Sequence, residues 1–248
     1  MDDVGQTPIR VPRTACVFGA SGGIGRALCV ALAAGGCQRI HAGSRSGSVP
    51  QGSAFQGFSF DLEDEASIAA AAAMMAPAPP EWVIVATGVL TLPDGTGPER
   101  SYKRLESDTM AQVLALNTIG PAMIARNMLP LMPRGSGFTF AALSARVGSI
   151  SDNRLGGWHS YRASKAALNM LLKNFALEMA RTHPESVIVG LHPGTVDSAL
   201  SAPFQSGLAE GQLTAPDAAA ANLIGVLSRL TPAQSGRVFD FRGQEVPA

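Results

Sequence analysis

Lysine is nearly absent from this chain: only Lys103, Lys165 and Lys173 occur in 248 residues, and arginine supplies almost all the positive charge. Lysine is therefore not general surface filler here, and each position carries information. Net charge is absent too, since 19 basic and 19 acidic residues balance to +0. Nucleic acids and anionic membranes usually require a basic face, so neither is expected as a partner. Cys16, Cys29 and Cys37 are odd in number and lack metal-ligand spacing, which predicts buried free thiols rather than disulfides or zinc ligands. His41, His159, His183 and His192 form no His-Glu-x-x-His pattern, and no metal site is expected. No Gly-Lys-Ser/Thr follows the glycines, which excludes a nucleotide-triphosphate P-loop. Met-Asp-Asp leads into no apolar signal region, and the alanine-rich stretch Ala66–Ala78 is too short for the roughly 20 residues of a membrane span. The expectation is a soluble, cytoplasmic protein.

What is present is an apolar chain, 46% hydrophobic and 15% charged, long enough to bury one sizeable core in one domain. Thr14–Phe18 reads as a buried strand, Gly19-Ala20-Ser21-Gly22-Gly23-Ile24-Gly25 follows at once, and Arg26–Ala34 reads as helix. Strand, glycine turn and helix is the context of a dinucleotide-binding loop. Gly19 permits the tight turn, Gly23 admits a pyrophosphate to the backbone, and Gly25 allows close helix–strand contact. Further strands are predicted at Gln38–Ala42, Ala54–Phe60, Trp82–Ala86, Gly137–Leu143, Val187–Leu191 and Arg237–Phe241. Helices are predicted at Glu65–Met75, Leu105–Met132 (bent near Asn117 and Gly120-Pro121), His159–Arg181 and Asp217–Leu230. Seven strands alternating mostly with helices predict a doubly wound, mostly parallel α/β sheet with helices on both faces. Residues 199–215 are less periodic and read as a substrate-side lid.

No Asp or Glu occurs between Gln38 and Gly57, where a carboxylate would bind the adenosine ribose of NAD. Ser44 and Arg45 stand there instead, and an arginine suits a 2′-phosphate. This favours NADP(H) over NAD(H), the alternative being a surface arginine on a loop. Asp61 either accepts from the adenine amino group or caps the next helix. Asn117 lies inside an apolar pattern, where it is either a satisfied core amide or a site of opened backbone that holds a water. Ser144 ends a predicted parallel strand on the side where ligands bind. Tyr161 and Lys165 fall one helical turn apart on one face. Such pairs are common on solvated helices, but a lysine beside a phenol favours the phenolate and suits acid–base chemistry.

Gly19-x-x-x-Gly23-x-Gly25, Asn117, Ser144, Tyr161-x-x-x-Lys165 and Pro193-Gly194 resemble, in order and spacing, the short-chain dehydrogenase/reductase family. The resemblance runs from Thr14 to about Gly243. Ser144–Asn153 and Gly156-Gly157-Trp158 to Asn169 look like its C-factor and sniffer-like carbonyl reductase branch. The resemblance implies a single-domain Rossmann-type fold and hydride transfer between a nicotinamide and a carbonyl or alcohol. Tyr161 would be the acid–base, Lys165 would lower its pKa and hold the ribose, Ser144 would bind the substrate oxygen, and Asn117 would anchor a relay water. Gly19, Ser21, Gly22, Gly23, Ile24, Gly25, Ser44, Arg45, Asp61, Leu62, Thr87, Gly88, Asn117, Tyr161, Lys165, Pro193, Gly194, Thr195 and Val196 would line the cofactor. A homodimer or homotetramer built on the Leu105–Met132 and His159–Arg181 helices is implied as well. The C-factor likeness keeps a dinucleotide-binding signalling protein as the alternative.

Three departures stand out. Phe18 replaces a usual threonine, and Val85-Ala86-Thr87-Gly88 replaces Asn-Asn-Ala-Gly. Ser144-Ala145 replaces Ser-Ser, so counting forward from Gly137 selects Ser144 while counting back from Gly148 selects Ala145. The forward count is preferred. Ser149, Asn153, Trp158 and Phe204 are candidate pocket-lining residues.

Overall fold

The computed structural model describes residues 11–207, 209 and 211–248. Strand β1 (Thr14–Phe18) leads through the glycine turn into helix α1 (Gly23–Ala34), followed by β2 (Arg39–Ser44), β3 (Phe55–Ser59), α2 (Glu65–Met75) and β4 (Trp82–Val85). The next helical stretch is broken into α3 (Ser107–Leu114), a π-helical turn at Ala115–Ile119 and α4 (Gly120–Met128). Then come β5 (Thr139–Leu143), the long α5 (His159–Met179), β6 (Val187–His192), β7 (Thr195–Val196), β8 (Leu213–Thr214), α6 (Pro216–Leu227), β9 (Val238–Asp240) and β10 (Glu245–Val246).

The helix ends follow local chemistry. Asp64 caps α2 by accepting from the Ala66 N–H at 3.0 Å. At the end of α1, Gly36 adopts φ +98° while the Cys37 N–H returns to the Leu32 carbonyl at 3.0 Å, as a left-handed glycine stop requires. Pro121 directly follows the π-helical turn, where the regular helical hydrogen-bond ladder is already interrupted.

The main sheet runs β10-β9-β6-β5-β4-β1-β2-β3, parallel except for β10. Strand order reverses between β1 and β4, so a crevice opens beyond their C-terminal ends. Successive strand residues serve opposite faces. Val17, Ile40, Ile84, Val189 and Leu191 pack with α1 and α6, while Phe18, Val83, Phe140 and Ile188 pack with α2, α4 and α5. Double coverage explains why β1, β4 and β5 read as continuous apolar runs. All three cysteines are free and buried. Among the described residues no helix is long and apolar enough to cross a membrane, and no cluster of three His, Cys, Asp or Glu is placed to hold a metal ion.

One expectation is corrected. The sheet has eight strands rather than seven, because the final residues turn at Asp240–Gly243 and return as β10. The segment read as a lid contributes β8, which pairs with β7 as a separate two-stranded ladder. Strands of two residues are too short to show an alternating pattern.

Candidate functional site

The crevice begins at the glycine turn. Gly19 takes φ +95°, and the N–H groups of Gly19 and Ala20 both donate to the Gly43 carbonyl, at 2.9 and 2.8 Å. A Cβ on Gly25 would lie 2.1 Å from the Gly19 carbonyl oxygen, so only glycine lets α1 meet the turn this closely. Ser21, Gly22 and Gly23 are exposed, Ile24 is half-buried and Gly25 is buried. Gly22 caps α1 without a side-chain hydrogen bond, and the first turn has no acidic residue. The start of α1 thus presents backbone N–H groups and the positive end of the helix dipole. Against the turn, where a Cβ on Gly19 would lie 3.0 Å from Thr87 Cγ2, Thr87 has a buried hydroxyl without a partner. Next to it a Cβ on Gly88 would come within 3.0 Å of Asn117 Oδ1 and 3.4 Å of Lys165 Nζ. An uncapped helix start, a glycine-lined turn and an unpartnered hydroxyl fit a nicotinamide dinucleotide.

At the end of β2, Ser44 is buried and its hydroxyl donates to the Ser48 carbonyl at 2.9 Å, whereas Arg45 is exposed. Ser59 Oγ fixes the turn by donating to the Arg45 carbonyl at 2.8 Å. Asp61 Oδ1 accepts from the Glu63 N–H at 3.0 Å, and Leu62 packs against Gly120, where a Cβ would lie 2.7 Å from Leu62 Cδ2. Pro193 and Gly194 turn the chain after β6. Gly194 adopts φ +77° against the Phe241 ring, and Thr195 and Val196 form β7.

Helix α5 carries Tyr161, Lys165 and Asn169 at successive turns of one face. Lys165 is buried; its ammonium donates to the Leu143 carbonyl at 2.8 Å and lies 5.8 Å from the Tyr161 ring centroid. Burial pulls the lysine down to about 8. Burial also pushes the Tyr161 phenol up to about 12, so the lowering expected from Lys165 is not realised in this state. The lysine stands over the ring with one of its three N–H donors on the Leu143 carbonyl.

Asn117 sits in the π-helical turn. Its Oδ1 accepts from the Val89 N–H at 2.8 Å, and its Nδ2 donates to the Val89 carbonyl at 2.8 Å and to Ser164 Oγ at 3.2 Å. The side chain is a satisfied core amide, and it sits where the helix opens into the π-helical turn. Thr118 Oγ1 ties the same turn to α5 by donating to the Ser164 carbonyl at 2.8 Å. Ser144 follows β5 directly and its hydroxyl donates to Asn169 Oδ1 at 2.6 Å. Ala145, the other candidate register, is buried.

Ser149 and Asn153 hold their own loop, accepting from the Asp152 and Gly156 N–H groups at 3.1 and 3.0 Å. Trp158 lies beside Tyr161 and Phe204, with ring centroids 6.2 and 5.3 Å away. Sequence reading missed three participants. Asn169 was discoverable as the next turn of the Tyr161–Lys165 face. Glu99, a buried carboxylate that accepts from the Ser160 N–H at 3.1 Å, lies in a loop that carries no local signal. His192, with a buried, unpartnered Nδ1, is pushed down to about 4 by burial, with Arg146 reinforcing and Asp240 opposing. A cleft lined by Arg13, Gln38, Arg39 and Glu81 opens at the opposite, N-terminal end of the strands, which none of the site residues reaches.

The sequence model of the family described as short chain dehydrogenase matches residues 13–209. The C-signal of Myxococcus xanthus is 37% identical over 139 residues, 56% of this chain and 78% of that protein. A 1-hydroxy-2-glutathionyl-2-methyl-3-butene dehydrogenase of Rhodococcus is 36% identical over 133 residues, 54% of this chain and 56% of that one. Among solved structures, a Burkholderia multivorans short-chain dehydrogenase/reductase with bound NADP is 25% identical with TM-score 0.78, covering 96% of this chain and 100% of that one. The carbonyl reductase Sniffer of D. melanogaster shares the fold at 20% identity, with TM-score 0.81 and the same coverage. The chain belongs to the short-chain dehydrogenase family.

Proposed function

We propose that this protein is an NADP(H)-dependent oxidoreductase that reduces a small carbonyl compound, or oxidises the matching alcohol, with Tyr161 as acid–base. The observation that carries this reading is the placement of Tyr161 and Lys165 together on α5, with the lysine facing Gly88 across the crevice. A bound nicotinamide supplies the hydride. The turn from Gly19 to Gly25 would hold the pyrophosphate, and Gly88, Lys165 and residues 193–196 would hold the nicotinamide half. Arg45, exposed where no carboxylate competes, would hold the 2′-phosphate.

The protein's own part is proton placement. Tyr161 keeps its proton at neutral pH because burial disfavours the phenolate, so it is loaded as the acid that protonates the carbonyl oxygen. Lys165, with the Leu143 carbonyl and the opened backbone at Asn117, would return the proton from solvent. Ser144 donates to Asn169 here and so anchors α5 to β5; to bind the substrate oxygen beside Tyr161 its hydroxyl would turn from Asn169. The combined set supports an enzyme, since a pure binding module needs no half-buried tyrosine paired with a buried lysine. Exposed Met170 and Leu177, seven residues apart on α5, together with exposed Ile119 support a homodimer or homotetramer on these helices. One domain carries all of this, with residues 199–215 as its substrate-side flap.

Tyr161→Phe tests the reading. It is expected to bind NADPH with unchanged affinity while turnover of a responsive carbonyl falls by at least about a hundredfold, the lower range for general acid catalysis. Unchanged turnover would sink the mechanism.

A further inference from the structure

We infer that Trp158 and Phe204 form a two-ring wall beside Tyr161 that selects planar aromatic carbonyl compounds, and that Glu99 is the residue that positions this wall. Its chemistry rests on the reductase reading, while its ring recognition does not.

The first observation is backbone strain. Gly156, Gly157 and Trp158 take φ of 62, 66 and 51° in succession, and Trp158 is the only non-glycine residue with positive φ among the described residues. A bulky residue is rarely found there, and it persists only where its surroundings over-determine it. The second observation is what does so. Glu99 is 6% exposed. Its carbonyl accepts from the Trp158 N–H at 2.5 Å, and its carboxylate accepts from both the Ser160 N–H and the Ser160 hydroxyl. The carboxylate thereby caps α5 at the positive end of its dipole. Arg162 completes the clasp, donating to the Gly157 carbonyl at 3.0 Å and the Val147 carbonyl at 3.1 Å.

The third observation is what the strain accomplishes. The indole is set edge-on to the Tyr161 ring, 6.2 Å away at 73°, and to the Phe204 ring, 5.3 Å away at 61°. Phe204 comes from a different segment, a helical turn fixed by the Ser201 hydroxyl, which donates to the Val196 carbonyl at 2.5 Å. None of the three rings belongs to either core cluster, and all three are only half-buried. Core packing therefore does not account for the strained tryptophan. Aromatic rings favour such edge-to-face neighbours over saturated groups of equal size. An aryl group against Trp158 and Phe204 would continue the set and bring its carbonyl to the phenol of Tyr161.

Two arms test this. Trp82 and Trp158 are the only tryptophans, so Trp82→Phe leaves Trp158 as the sole indole. Its fluorescence is titrated with benzamide and with cyclohexanecarboxamide, neither of which can be reduced by hydride transfer here. Benzamide is expected to saturate at roughly tenfold lower concentration. In the second arm, wild type is expected to favour benzaldehyde over cyclohexanecarbaldehyde about tenfold in kcat/KM, mainly through KM. Trp158→Leu is expected to bring that ratio to about one, Glu99→Ala to lower it likewise, and Glu99→Gln, whose amide oxygen still accepts from the Ser160 N–H while its Nε2 donates to the Ser160 hydroxyl, to restore it. Equal saturation by the two amides, with a ratio that Trp158→Leu does not move, overturns the wall and leaves the reductase reading standing. Selective saturation by benzamide in a chain that reduces neither aldehyde upholds the wall and removes the reductase reading.

Discussion

The two halves of the crevice are built by different means. The cofactor half is made of backbone, and its decisive residues are those without side chains. Gly25 meets the Gly19 carbonyl, Gly88 faces Asn117 and Lys165, and Gly194 faces Phe241. The half proposed for the substrate is made of side chains that reach across long stretches of sequence: Glu99 to Ser160, 61 residues on, and Trp158 to Phe204. A dinucleotide needs the same close backbone approach in every enzyme that binds it, whereas a substrate wall is specific to its ligand. The first half is consequently sensitive to a single methyl group, and the second to loss of a bond or ring.

The sharpest way to break this comparison is Gly25→Ala. A new Cβ 2.1 Å from a backbone oxygen cannot be accommodated by a side-chain shift. The expected outcome is loss of NADPH binding together with destabilisation of about 3 kcal/mol or more, read by calorimetry and titration. Gly22→Ala is the control, because its Cβ would lie 3.5 Å from the Gly19 oxygen in ordinary contact and its φ is −75°. It is expected to fold with near-normal stability. Equal damage from both would mean that the turn is governed by something other than close approach.

Between the halves lies Lys165, and its burial predicts a pH effect. Its pKa in the folded chain is about 8 against an ordinary 10.5. Between these values the unfolded chain holds the proton and the folded chain does not, so this group makes stability rise with pH through the window. The buried cysteines, whose thiols burial holds high, and Tyr161 above pH 10 pull the other way. The test is therefore the difference between wild type and Lys165→Met in denaturant unfolding at pH 7.5 and 9.5. Wild type is expected to gain roughly 2 kcal/mol relative to the variant over that interval. A difference of zero would mean that Lys165 is hydrated in solution.

How far the sequence reveals each half follows the same division. The β1–turn–α1 unit, the π-turn asparagine and the Tyr161–Lys165 face were legible because each depends on spacing within a few residues. β7, β8 and β10 were not, since two-residue strands exist only through their partners. The role of Glu99 was not legible either, because nothing near it in sequence announces the helix it caps. The burial of Tyr161 was not legible for a related reason: residue types name a lysine beside a phenol, but only packing shows that burial raises the phenol and that the ammonium donates to the Leu143 carbonyl.

The exposed edge of the cofactor half offers a smaller effect. Arg45→Ala is expected to weaken NADPH binding by roughly ten- to a hundredfold, the worth of charged hydrogen bonds. NADH affinity is expected to stay unchanged, both read as dissociation constants. Equal loss for the two cofactors would place Arg45 outside the phosphate site.

Ser144→Ala is expected to have the smallest effect, and it tests where the two halves meet. The Ser144 hydroxyl donates to Asn169, two turns beyond Tyr161 on α5. Removing it deletes one buried hydrogen bond and leaves the Asn169 oxygen without that donor, a cost of about 1–3 kcal/mol in stability. If the hydroxyl only anchors α5, kcat is expected to fall less than about tenfold, well short of the hundredfold or more that removing an oxyanion donor costs. A fall of that larger size at nearly unchanged stability would show that the hydroxyl turns from Asn169 to the substrate oxygen. Proton donation would then be shared between β5 and α5 rather than held by the helix alone.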